Sequence, residues 1–174
     1  MGVQLLSRQS ARDPRARSGI DGVLPPVSVH TTSVETKANA RFGVVDLTSD
    51  LVRAVEESAV SNGLVVAFCK HTTCVLIVNE KEQGAQEDLA RRLARLSPAE
   101  LYYAHDDMTR RTENIQPDNE PANGQAHVLA ALLGGTSQLF PIVDGAVELG
   151  VWQRLMLLEL DDPRPREVLF AILT

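Results

Sequence analysis

Two apolar runs, Leu64 to Lys70 and Thr73 to Val78, are separated only by His71-Thr72, and each carries apolar side chains on both alternating sets. Strands of that kind are covered on both faces or lie at a subunit contact. The link is too short for a crossover helix and contains no glycine, so it is either a tight hairpin or a bulge within one long strand. A bulge would re-aim side chains, and bulges are frequent beside sites.

Elements on either side give these central strands company. Val27 to Lys37 alternates Val with Ser and Thr as a strand does, and Arg41 to Asp46 reads as its antiparallel partner. Thr48 or Ser49 caps a helix whose apolar stripe is Leu51, Val52, Val55 and Ala59 and whose end is Asn62-Gly63. Lys81 to Leu96 places Leu89, Leu93 and Leu96 at helical spacing, and Gln125 to Leu133 is a further helix with Asn123 or Gly124 at its cap. The remaining strands are Ser137 to Val143, an Asp144-Gly145 turn of the type I′ kind, Val147 to Leu149, Leu155 to Leu160 and Val168 to Leu173. About seven strands with two or three helices predict a single α+β domain, a mostly antiparallel mixed β-sandwich.

Arg8, Arg12, Arg15 and Arg17 precede Pro25-Pro26, so residues 1–26 read as a flexible tail and 27–174 as the domain. Asp13 and the lack of an apolar helical stripe argue against a transit peptide or membrane anchor. A net charge of −6 argues against a broad nucleic-acid surface, because phosphate-backbone binding needs clustered Lys and Arg. No run is long enough for a membrane span and no secretory apolar segment follows the first charges, which predicts a cytoplasmic protein. Cys69 and Cys74 flank His71 at a spacing unlike standard zinc motifs, and buried reduced thiols are the better reading.

Three of the four histidines, His71, His105 and His127, sit among small or polar residues. If the long loop from His105 to Asn123 folds over the strand end at His71, the three converge on a divalent ion or a substrate; otherwise they bond loop backbone. Three imidazoles suit zinc, whereas oxygen ligands such as Asp106, Asp107 or Glu80 shift preference toward magnesium or manganese. His127, in the first turn of its helix, is kept neutral by the helix dipole, and the Asn123-Gly124 end can receive a phosphate. Asn79-Glu80 closes a strand; Glu80 either caps the next helix or offers a carboxylate to a metal or amine. Glu159 interrupts an apolar run and needs a partner, whether Arg, metal or substrate, unless its face is exposed. Trp152 either caps the core or stacks on a planar heterocycle while Gln153 supplies amide hydrogen bonds.

The order Lys70-His71-Thr72-Thr73, Val78-Asn79-Glu80, Asp88, His105, Asn123-Gly124, His127, Leu132-Leu133-Gly134, Ser137, Pro141, Asp144-Gly145, Gly150-Val151-Trp152-Gln153 and Glu159 resembles the YjbQ-like family, whose members are commonly described as secondary thiamine-phosphate synthases. The resemblance runs from about Val27 to Thr174 and is most specific between Ser137 and Gln153. It implies a β-sandwich with helices, a homotrimer with sites near subunit boundaries, and a metal-associated histidine site. The implied reaction joins a hydroxymethylpyrimidine pyrophosphate to a thiazole phosphate and releases pyrophosphate. On this reading His71, Glu80 and His127 act in catalysis, and His71, His105 and His127 hold the ion. Thr72, Thr73, Asn79, Asn123, Gly124, Trp152, Gln153 and Glu159 contact substrate. Two departures are Val151, where the family usually has Thr before Trp-Gln, and Thr73, where it often has Ser. The rival reading is a non-catalytic trimer that holds a metal or small anion.

Overall fold

A computed structural model describes residues 27–115 and 120–174; the amino-terminal tail 1–26 expected from the sequence lies outside the described residues. Five strands, β1 (Val29–Thr36), β8 (Arg166–Leu173), β3 (Gly63–Cys69), β5 (Ser137–Val143) and β6 (Ala146–Val147), form one sheet in that order. Three more, β2 (Val44–Asp46), β7 (Arg154–Glu159) and β4 (Cys74–Asn79), form a second. Every pairing recorded between them is antiparallel. The helices are α1 (Thr48–Ser58), α2 (Gln83–Leu96) and α3 (Gly124–Leu133). The expected α+β class and antiparallel character therefore stand.

Layering follows from side-chain alternation. Val65, Ala67 and Cys69 on β3, Phe140 and Ile142 on β5, and Val168, Phe170 and Ile172 on β8 face Cys74, Leu76, Leu155 and Leu157 of the smaller sheet, with α1 packed into the same core. The small sheet's other face carries Val75 and Leu158, which meet Leu93 of α2 and Ala126 and Leu129 of α3. The small sheet is thus covered on both sides, which is why β4 is apolar from Cys74 to Val78. The large sheet is not: Leu64, Phe68 and Leu139 on its outer face are 42%, 40% and 58% exposed, so β3's second apolar set is left largely uncovered among the described residues.

Two expected pairings are corrected. The strand near Arg41 to Asp46 does not pair with β1; β2 lies on β7, while β1 lies along the carboxy-terminal β8. Nor do β3 and β4 form a hairpin or one bulged strand. Cys69 pairs with Val168 in the large sheet and Cys74 with Glu159 in the small one, so residues 70–73 step between layers. The Asp144-Gly145 turn does join β5 to β6, with both residues at positive φ (50° and 79°), as a type I′ hairpin requires.

Caps also differ in detail. Leu47 occupies the N-cap of α1, where the Asp46 carboxylate accepts from Thr48 N at 2.9 Å, in place of a Thr48 or Ser49 side-chain cap. Helix α2 starts at Gln83, and Glu82 caps it by accepting from Gly84 N and Ala85 N, so Glu80 is not the capping residue.

Candidate functional site

A cavity of about 1030 Å³ opens where the 70–73 step, the β7–β8 connection, the start of α3 and the loop after α2 meet. His71, His105 and His127 all line it, as do Thr72, Thr73 and Asn123. Its wall also carries Lys70, Arg110, Arg111, Arg164 and Arg166 against the carboxylates of Glu113 and Glu120, so cations predominate. Described parts of the long loop, among them His105, Arg110 to Asn114 and Glu120, line the same cavity as His71.

The floor is a buried polar cluster. Arg166 Nε donates to Glu159 Oε2 at 2.8 Å and its Nη2 to Glu159 Oε1 at 2.6 Å, a two-pronged pair that also reaches Thr73 Oγ1 at 3.0 Å. Glu159 therefore finds the partner its position demanded, an arginine seven residues on, and both side chains are almost wholly buried. Beside it, Asp161 Oδ2 accepts from Asn123 Nδ2 at 2.6 Å and from Arg164 Nη2 at 2.5 Å. Asn123 Oδ1, buried on the same side chain, has no hydrogen-bond partner among the described residues. Arg164 and Arg166 alternate with Pro163 and Pro165, whose fixed φ and missing N–H hold the connection as an extended turn that presents both guanidiniums.

The three histidines are unequal. His71 Nε2 accepts from Glu167 N at 2.9 Å, which fixes that nitrogen as unprotonated, and burial followed by the Arg166 charge holds its pKa below the usual imidazole value. His105 and His127 lie ring to ring, with centroids 4.5 Å apart and planes tilted by 51°. His127 is likewise held low, first by burial and then by the charge of His105. Arg111 Nη1 meets His105 Nε2 at 3.1 Å and also pairs with Glu120. Because N–H donors engage Nε2 of His71 and of His105, these side chains as arranged do not fit a three-histidine ion. Among the described residues no group of three or more His, Cys, Asp or Glu is set to hold a metal.

The start of α3 is already occupied. Gly124 N donates to Asp106 Oδ1 at 2.9 Å, so a carboxylate from the covering loop sits where a phosphate was expected. A side chain at Gly124 would place its Cβ 2.5 Å from Tyr103 Cβ, so glycine is what lets the loop approach this closely. The Cys69 and Cys74 sulfurs lie buried beneath the 70–73 step, 3.3 Å apart and both free. Their hydrogen bond draws the Cys69 thiol down to about 7 and pushes that of Cys74 up.

The remaining expected residues lie elsewhere. Asn79, Glu80, Trp152 and Gln153 gather at the opposite end of the β4–β7 pair, where Asn79 is opposite Arg154. Six residues of strand put that end roughly 17 Å from Cys74. Trp152 is 70% exposed and does not cap the core, while Gln153 Oε1 accepts from Gly150 N at 2.8 Å within its own turn. Sequence reasoning missed Asp161, Arg164, Arg166 and Arg111; the alternating Pro-Arg run and the demand of Glu159 for a partner were the available signals.

The model of the family described as UPF0047 protein YjbQ-like matches residues 30–174. Relatives include a UPF0047 protein of Methanothermobacter thermautotrophicus, 30% identical across 84% of this chain and 93% of its own length. Another, from Archaeoglobus fulgidus, is 35% identical across 79% of this chain and 96% of its own. A solved structure of a protein of unknown function from Sulfolobus solfataricus superposes with a TM-score of 0.73 at 28% identity, covering 85% of this chain and 99% of that one. A hypothetical protein from Aeropyrum pernix gives 0.70 at 30% identity, covering 82% and 97%. On this match and coverage, the chain belongs to the YjbQ-like UPF0047 family.

Proposed function

We propose that the cavity recognises a phosphorylated small heterocycle and that the protein is a transferase of the thiamine-phosphate synthase kind. It would join a hydroxymethylpyrimidine pyrophosphate to a thiazole phosphate and release pyrophosphate. The observation carrying this reading is one wall that combines an excess of guanidinium and ammonium groups with two imidazoles held neutral by burial. Preorganised cations stabilise the charge that develops on a departing pyrophosphate, and they act most strongly where water is excluded. Lys70 and Arg164, whose side chains are 47% and 40% exposed, can turn from Glu167 and Asp161 to an incoming phosphate. Arg166 keeps the floor rigid. His127, neutral near physiological pH, is placed to take or give a proton, and His71 can donate only through Nδ1, since its Nε2 is engaged. Asn123 Oδ1 supplies an acceptor for a ligand N–H, with the amide orientation fixed by Asp161.

A three-histidine divalent ion, whether zinc, magnesium or manganese, belongs to this reading only if Arg111 leaves His105 and the Glu167 N–H leaves His71; no step here depends on it. Metal analysis of wild type and of His71→Ala, His105→Ala and His127→Ala would assign any ligands. Trp152, Gln153, Asn79 and Glu80 join the site only when brought by another copy of the chain, which the proposed cytoplasmic homotrimer would allow. The uncovered Leu64, Phe68 and Leu139 support such an assembly. Among the described residues no helix is long and apolar enough to cross a membrane.

The second reading, a trimeric module that binds an anion or metal without turnover, is favoured by the carboxylate partners that most of the wall's cations already have. Incubating the full chain with both precursors, with and without magnesium, manganese or zinc, separates the two. Thiamine phosphate detected by mass spectrometry and lost in His127→Ala supports the enzyme, whereas stoichiometric binding without product supports the module.

A further inference from the structure

We propose that Cys69 and Cys74 form a peroxide-responsive dithiol–disulfide pair that braces the pocket rim. The two sulfurs are 3.3 Å apart, so closing a bond of roughly 2.05 Å needs an approach of only about 1.3 Å. Both backbones are anchored in different layers. Cys69 N donates to Thr136 O at 2.8 Å and Cys69 lies opposite Val168, whereas Cys74 lies opposite Glu159. Neither strand can slide freely, so the movement falls on the four residues between them. Those residues include His71, whose ring bonds Glu167 N, and Thr73, whose hydroxyl bonds Arg166. A disulfide would tie the two sheets together at the point where the chain steps between them, directly under the rim.

The oxidant must be small, because the two residues are 1% and 0% exposed beneath the cavity wall. Hydrogen peroxide meets that demand. The Cys69 sulfur takes one peroxide oxygen to give a sulfenic acid and water; the Cys74 sulfur then displaces the hydroxyl, forming the S–S bond and a second water. Two thiols are oxidised and one peroxide is reduced, so the atoms balance. A larger disulfide such as oxidised glutathione would have to wait for local opening.

The test uses the reduced full-length chain under native conditions, exposed to hydrogen peroxide until Met108, which is 51% exposed, is oxidised as an internal control. After quenching, denaturation and alkylation, trypsin cuts at Arg53, Lys70 and Lys81 and so places the cysteines on separate peptides, 54–70 and 71–81. The expected product is these two peptides joined within one chain, with a mass lower by two hydrogens and restored by dithiothreitol. Two alkylated cysteines alongside oxidised Met108, or cysteines carrying oxygen atoms without a link, would overturn the pair. The bracing is read separately from the rate at which diethyl pyrocarbonate modifies His71, the only histidine on its peptide. At least a threefold difference between oxidised and reduced protein is expected, and equal rates would overturn that part.

Discussion

The two ends of the β4–β7 strand pair carry equally suggestive residues and use them in opposite ways. At one end Thr73, Glu159 and Arg166 are buried and bonded to one another, and His71, Arg164 and Asp161 extend that network to a cavity. At the other, Asn79, Glu80, Trp152 and Gln153 lie exposed, and the side chains of Asn79 and Gln153 accept only from N–H groups of their own turns among the described residues. Polar residues that look alike in sequence thus divide into a preorganised set and a free set. Burial makes the difference, since a charge removed from water must be paired and its pairing fixes geometry.

The largest test of that contrast is Arg166→Met, which leaves the Glu159 carboxylate buried without its guanidinium. Loss of one partner of such a pair costs about 3–5 kcal/mol, read as a fall in the urea midpoint at unchanged slope. Adding Glu159→Leu should restore most of it. Glu80→Ala at the exposed end should stay within about 0.5 kcal/mol of wild type, and comparable losses at both ends would break the comparison.

Arg164→Ala comes next. It removes a charged donor from the wall and leaves Asp161 facing the cavity, so pyrophosphate affinity should fall roughly tenfold or more, as for hydrogen bonds to charged groups. Calorimetric titration reads this directly.

Acid should then weaken the cavity end selectively. His71 and His127 have folded pKa values below their unfolded ones, so below about pH 6.5 the unfolded chain takes up protons that the folded chain resists. Stability contributed by the neutral rings is complete above that pH, declines as pH falls through it and levels off below the folded values. His71→Gln/His127→Gln should flatten this part of the stability profile between pH 7 and 5; an unchanged slope would assign it to other groups.

The smallest effect is expected from Trp152→Ala. The unfolding midpoint should barely move, because the indole packs on little within its own chain. If another copy brings it to a cavity, thiazole phosphate binding should weaken by a few-fold, with pyrophosphate binding unchanged. Sedimentation velocity on the same samples shows whether the assembly exists.

Much of this was legible in local pattern and little in long-range pairing. Helices α2 and α3, the Asp144-Gly145 hairpin and the strands flanking His71 follow from periodicity and turn chemistry, which act over a few residues. The pairing of β1 with β8 joins residues more than a hundred apart, and nothing within Val29–Thr36 specifies that partner. The 70–73 step was misread for the same reason: two apolar strands with a short link look like a hairpin until each finds a different sheet. The sequence offers convergence of the histidines only as one of two alternatives, conditional on the long loop folding over His71. The sequence also sets His105 apart as conditional on that loop, but not which ring nitrogens are engaged, because Arg111 and Asp106 act only once the loop is folded.

The central claim is that the cationic wall is a phosphate-recognising surface. Isothermal titration of pyrophosphate into the full chain tests it most directly, comparing wild type, Lys70→Ala, Arg164→Ala and Glu80→Ala at two salt concentrations. One site per chain is predicted, weakened by salt and by either cavity substitution but not by Glu80→Ala. No binding, or binding indifferent to Lys70 and Arg164, would contradict it.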